Sequence, residues 1–119
     1  HADIEAIAGQ ISALRSGITT LKDTVAHLQA HRADANEVAS AAYDTLNMLG
    51  IVALGYMWTW IGAVSAAKLA TGEGNPEFHQ RKLILGNYWA EREMSLTQAL
   101  ASCVRGGAAT LMALPADAF

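Results

Sequence analysis

An all-α fold, an antiparallel up-down-up bundle of three long helices with a short C-terminal turn, is predicted by three observations. Residues 45–67 carry no charged side chain. Residues 4–28 repeat apolar side chains at alternating spacings of three and four. No stretch alternates with period two, and the dipeptides Asn-Gly and Asp-Gly that mark hairpins are absent. Proline occurs only at Pro76 and Pro115, so long stretches are free to be helical.

The 119 residues suffice for one domain with one core, and residues 1–119 are expected to form a single helical bundle domain. With 52% apolar residues the chain is not disordered. A net charge of −3 with no dense basic patch argues against nucleic acid as a partner. Cys103 is the one cysteine, which excludes an intrachain disulfide and a zinc-type cysteine cluster. A lone thiol suits a reducing compartment, so a cytoplasmic location is expected. The chain opens His1-Ala2-Asp3 and its first methionine is Met48. No basic stretch followed by an apolar one stands at the start. An excised piece of a longer protein is therefore expected, with His1 as a remnant of excision.

The first helix is predicted over residues 3–31. Ile4, Ile11, Ile18 and Val25 fill one seam position, and Ile7, Leu14, Leu21 and Leu28 the other. Burying these eight side chains would contribute roughly 12 to 24 kcal/mol before entropy. Glu5, Gln10, Arg15, Lys22, Asp23 and Gln29 are assigned to the solvent face. The connection 32–36 is short, so the second helix must fold back, capped by Asp34 or Asn36.

The second helix is predicted to run to about residue 70, roughly 50 Å at 1.5 Å per residue. It is apolar all round, so something must enclose it. Its length also fits a membrane span. Asn47, Thr59 and Ser65 interrupt the run, and Trp58 and Trp60 sit near its middle rather than at an interface. A protein enclosure is therefore expected, with no membrane. Gly50, Gly55, Gly62, Ala63, Ala66 and Ala67 mark places where neighbouring backbones come close. Two flanking helices cannot cover an apolar rod on every side. The part around Tyr56, Trp58 and Trp60 is thus expected to be an interface with another surface.

Gly72 suits the left-handed residue after a helix end, and Asn75 with Pro76 starts the third helix. That helix carries Phe78, Leu85, Tyr88, Trp89, Leu96, Leu100, Cys103 and Val104. Gly106-Gly107 should end it, a turn over 108–113 follows, and Pro115 takes the chain out of the helix.

No catalytic, cofactor-binding or metal-binding set emerges. Asp23, His27 and His31 share a helix face but lack the third firm ligand and general base of a zinc hydrolase, and are read as solvent-facing. His79 is read as a surface residue. Cys103 is read as a packed thiol on the apolar side of its helix. Glu91 and Glu93 point apart, and Arg92 between them is read as partly buried in a structural ion pair. Gly72-Glu73-Gly74 has neither the preceding strand nor the spacing of a phosphate loop.

The run Leu49-Gly50-Ile51-Val52-Ala53-Leu54-Gly55-Tyr56-Met57-Trp58 opens a distinctive series. Lys82-Leu83, Tyr88-Trp89-Ala90-Glu91 and the terminal Ala113-Leu114-Pro115-Ala116-Asp117-Ala118-Phe119 complete it. The series resembles the extra C-terminal helical domain appended to a large subgroup of bacterial acyl-CoA dehydrogenases, among them enzymes acting on 3-methylmercaptopropionyl-CoA. The resemblance covers residues 40–119. It implies that this is the C-terminal piece of an FAD flavoprotein of fatty acid metabolism, an oxidoreductase that oxidises the α,β bond of an acyl-CoA thioester. The flavin site and catalytic glutamate of that family lie in a preceding body, so no residue here inherits those roles. The resemblance implies a non-catalytic accessory domain. It would pack on the dehydrogenase body or on a second copy in a homo-oligomer. The alternative is a free-standing bundle that dimerises or binds an apolar ligand.

Overall fold

Each of the three expected rods is interrupted. The computed structural model describes residues 2–119, so His1 lies outside the described residues. The first rod is α1 (Ala2–Ala6) and α2 (Ala8–Ala30), parted at Ile7. The second is α3 (Ala35–Ser40) and α4 (Ala42–Thr71), parted at Ala41. The third is α5 (Pro76–Tyr88) and α6 (Leu96–Arg105), joined through a π-helical turn, Trp89–Glu93. At both partings the backbone closes a tighter i→i−3 bond, from Ile7 N–H to the Ile4 carbonyl and from Ala41 N–H to the Val38 carbonyl. Ile7 and Ala41 are both buried. Each of these two helix breaks thus falls at a buried apolar residue.

The boundaries follow local chemistry. The Asp34 carboxylate accepts from the N–H groups of Asn36 and Glu37 at 3.0 and 3.3 Å, capping α3. Gly72, at φ +74°, ends α4, where Glu73 N–H reaches the Lys68 carbonyl. The Asn75 side chain accepts from Glu77 N–H at 3.0 Å, with Pro76 at the first helical position of α5. After α6 the chain turns at Gly107, and only a short 3₁₀ turn, Ala116–Ala118, follows.

Register is set by two keys, each seated in a pair of glycines. Gln10 of α2 fills the space beside Gly62 of α4 and Gly86 of α5. A β-carbon on either glycine would lie 2.8 and 2.6 Å from the Gln10 amide. Met94, just after the π turn, does the same against Gly17 of α2 and Gly55 of α4. Farther along, the Gln98 amide donates to the Thr20 hydroxyl at 3.1 Å. The Trp89 indole donates to the Ile51 carbonyl at 3.1 Å, and His79 meets Ser65. The partners of α2 thus descend along α4 and ascend along α5 and α6.

The π turn matters to this register. Met94 N–H bonds to the Trp89 carbonyl at 2.9 Å, an i→i−5 closure. Gly86 and Met94, eight residues apart across the turn, are both buried, with Ala90 half-buried between them. Met94, Thr97 and Val104 lie on the buried side.

The packing corrects the expected face of the first rod. Of its eight seam residues only Ile7 is buried. Ile4 and Val25 are exposed, and Ile11, Leu14, Ile18, Leu21 and Leu28 are half-buried. The innermost line is Gln10, Gly17 and Thr24, and Gln10, assigned to solvent from the sequence, is 2% exposed. Shape supplies the reason. The Cα atoms span 64 × 29 × 15 Å with a radius of gyration of 18.7 Å, against about 13 to 14 Å for a compact domain of this length. In so thin a slab the small side chains occupy the closest approaches, and larger ones are pushed to the rims.

Candidate interaction face

The core of α4 is one narrow stripe. Met48, Val52, Gly55, Gly62, Ser65 and Ala66 are buried against the flanking helices. Rotated about 100° per residue from that stripe, an unbroken opposite face faces outward. Leu46, Leu49, Tyr56, Met57, Trp60 and Val64 all lie exposed on it, with Leu46 at 68%, Tyr56 at 56% and Trp60 at 57%. The Tyr56 and Trp60 rings sit one turn apart with centroids at 6.3 Å. Such a contiguous apolar strip far exceeds the scattered apolar residues of an ordinary surface.

Of the three residues singled out from the sequence, the structure groups Tyr56 and Trp60 and separates Trp58. Two residues along a helix is a rotation of about 200°. Trp58 therefore turns toward α5, half-buried, where the Lys82 ammonium stands 5.9 Å from its ring centroid. The same ammonium lies 5.1 Å from the centroid of Phe78. Sequence reasoning missed the groove that this arrangement borders. Met57, Trp60, Ile61 and Val64 of α4 and Phe78 of α5 line a trough of about 420 Å³, floored by Ser65 and His79. The signal was present in the spacing: Ile61 to Ser65 on one helix and Phe78 to Lys82 on the next, each separated by one turn.

His79 is buried, not at the surface as the sequence reading held. Its Nδ1 and the Ser65 hydroxyl share a hydrogen bond of 3.3 Å. The reason is the tight loop before α5. Gly74, at φ +77°, lets the chain pass close over the ring, and a β-carbon there would stand 2.9 Å from His79 Nε2. Cys103 is exposed rather than packed, because the inward line of α6 runs through Thr97 and Val104. Arg92 is exposed too. Glu93 accepts from the Tyr88 hydroxyl at 3.3 Å. His31 is exposed and His27 half-buried; the His31 ring bonds back to the His27 carbonyl at 2.8 Å. Among the described residues, no group of three His, Cys, Asp or Glu side chains is placed to hold a metal ion.

By length and composition α4 is apolar enough to cross a membrane, and 28% of its most apolar window is buried. No curated protein matches the chain. The sequence matches the family described as acetyl-CoA dehydrogenase C-terminal like over residues 1–115. The chain therefore belongs to that family, the C-terminal helical domain of acyl-CoA dehydrogenase-like proteins.

Proposed function

We propose that this domain is a non-catalytic accessory module of an FAD-dependent acyl-CoA dehydrogenase of the cytoplasm, and that it works through the outer face of α4. Three rods running up, down and up form the scaffold; the descending and ascending registers of Gln10, Gly17 and Thr20 support that reading. The observation that carries the function is the exposed strip from Leu46 to Val64. Tyr56 and Trp60 are its anchors, and Trp58, turned toward α5, stands apart from it. Covering such a strip with protein contributes about 25 cal/mol for each Å² of its apolar surface removed from water.

The oxidation of the acyl-CoA α,β bond belongs to the dehydrogenase body. The trough beside Trp60 does not fit a flavin dinucleotide. Its one cation, Lys82, already stands over two aromatic rings. Its walls are two helices whose backbone N–H groups are committed to helical bonds rather than to a pyrophosphate. The trough does favour one second reading, a free-standing bundle that takes an apolar ligand beside Trp60. A shift in thermal unfolding on adding a medium-chain fatty acid would support it.

The test of the main reading has two parts. The reading frame preceding Ala2 should encode a flavin-binding dehydrogenase body. Removing residues 2–119 from that protein should leave flavin bound and the chemical step intact while changing assembly or stability. A frame with no such body, or a truncated enzyme unable to bind flavin although its fold is intact, would contradict the reading.

A further inference from the structure

We infer that the outer face of α4 pairs with the same face of a second copy, antiparallel about a two-fold axis near residue 55. Trp60 of each copy then seats over Gly50 and Ala53 of the other. This rests on the reading of that face as an interface and names its occupant.

Side-chain size alternates along the face, with a low stretch at Gly50 and Ala53 and a tall one at Tyr56, Met57 and Trp60. A β-carbon built on Gly50 meets nothing within 4 Å. Tyr56, Met57 and Trp60 project outward. A parallel pair would set Trp60 against Trp60 and leave a gap between the two Gly50 positions. The antiparallel pair sets knob against hole twice over: Trp60 over Gly50, Met57 over Ala53 and Leu46 against Val64. A face that carries both its own knobs and its own holes is self-complementary, the condition for a two-fold contact. The trough between α4 and α5 continues the face and receives Leu46 and Leu49 of the second copy.

Charge and area agree. Residues 45–67 bring no charged group to the contact, so two copies meet without repulsion or desolvated ions. If fully covered, the exposed side chains from Tyr43 to Val64 would bury at most on the order of 800 Å² per copy, the half-share of a standard stable interface.

The test uses the 119-residue chain in detergent-free buffer. Sedimentation equilibrium should show a concentration-dependent dimer. In a Cys103→Ser background, chains carrying Leu46→Cys mixed with chains carrying Val64→Cys should form a disulfide-linked dimer on oxidation, and neither alone should link efficiently. Ala53→Arg, at an exposed position, should keep the far-UV helical signal and weaken dimerisation at least tenfold. A helical chain that stays monomeric at every concentration would overturn the pairing. So would cross-linking of Leu46→Cys chains to themselves, or an Ala53→Arg chain that dimerises as before. A monomer that still binds the dehydrogenase body would overturn the pairing alone and leave the accessory role standing.

Discussion

The Met94 thioether occupies the place where a β-carbon on Gly55 would stand, with its sulfur 2.5 Å from that position. One flexible side chain from the third rod thereby fixes how closely α4 and α2 approach, since its methyl group also fills the space above Gly17. Because the obstructing atoms are the far end of a methionine, a small addition at Gly55 can be absorbed and a large one cannot. Gly55→Ala should change stability little, the gain in helix propensity of about 1 kcal/mol offsetting the displaced thioether. Gly55→Leu should destabilise by about 2 to 3 kcal/mol in urea unfolding. Adding Met94→Ala to Gly55→Leu should recover at least about 1 kcal/mol, a coupling absent between distant sites.

Gln10 makes the matching contact with a polar group. Its amide nitrogen donates to the Asn87 side chain at 3.1 Å, while its Oε1 is buried without a hydrogen-bond partner. Shape and hydrogen bonding can therefore be separated. Gln10→Met preserves the length and removes the unpartnered oxygen, and should stay within about 1 kcal/mol of wild type. Gln10→Ala leaves the Gly62–Gly86 socket empty and should cost about 2 to 4 kcal/mol. Equal losses for the two variants would show that the hydrogen bond, not the fit, holds the rods in register.

Glu37 joins residues 71 positions apart. Its carboxylate accepts from Ala108 N–H at 2.9 Å, where Gly107 turns the chain at φ +72°. Glu37→Ala should release the segment after α6, raising amide exchange over residues 108–119 and costing about 1 to 3 kcal/mol for the lost charge-assisted bond. Glu37→Gln keeps an acceptor oxygen and should retain most of the protection.

Trp60 separates folding from association. Its ring is 57% exposed in the single chain and otherwise packs beside Tyr56 and along the trough, so Trp60→Ser should lower the monomer's unfolding free energy by about 1 to 3 kcal/mol. Any larger effect should appear only under conditions where the chain associates. Thermal unfolding at low and high protein concentration reads the two contributions apart.

The sequence signals that succeeded were local. Asp34, Gly72 and the Asn75-Pro76 pair each satisfy or end a helix within one turn, so their neighbours in sequence decide the outcome. The all-helical character followed from patterning of the same kind. The core face did not. Counting large apolar residues selects Ile11, Leu14, Ile18 and Leu21, yet the rods touch most closely through Gln10, Gly17, Thr24, Gly55, Gly62 and Gly86. Which face is innermost depends on tertiary approach, and small residues give no periodic apolar signal. The π turn likewise has no signature in Trp89 to Glu93. On the outer face of α4, the exposure of Tyr56 and Trp60 was legible as surplus on an over-apolar helix. The separation of Trp58 from them was also available, in the 200° between alternate helical positions.

The central claim is that protein covers the outer face of α4. Hydroxyl-radical footprinting with mass spectrometry reads that coverage residue by residue, and Met112 and Phe119, exposed in the tail, serve as internal references. In the assembled protein, free of detergent, Leu46, Tyr56, Met57 and Trp60 should be oxidised several-fold more slowly than their exposure in the single chain dictates, while the references keep their rates. Oxidation of Met57 and Trp60 at the unprotected rate in the assembled protein would contradict the account.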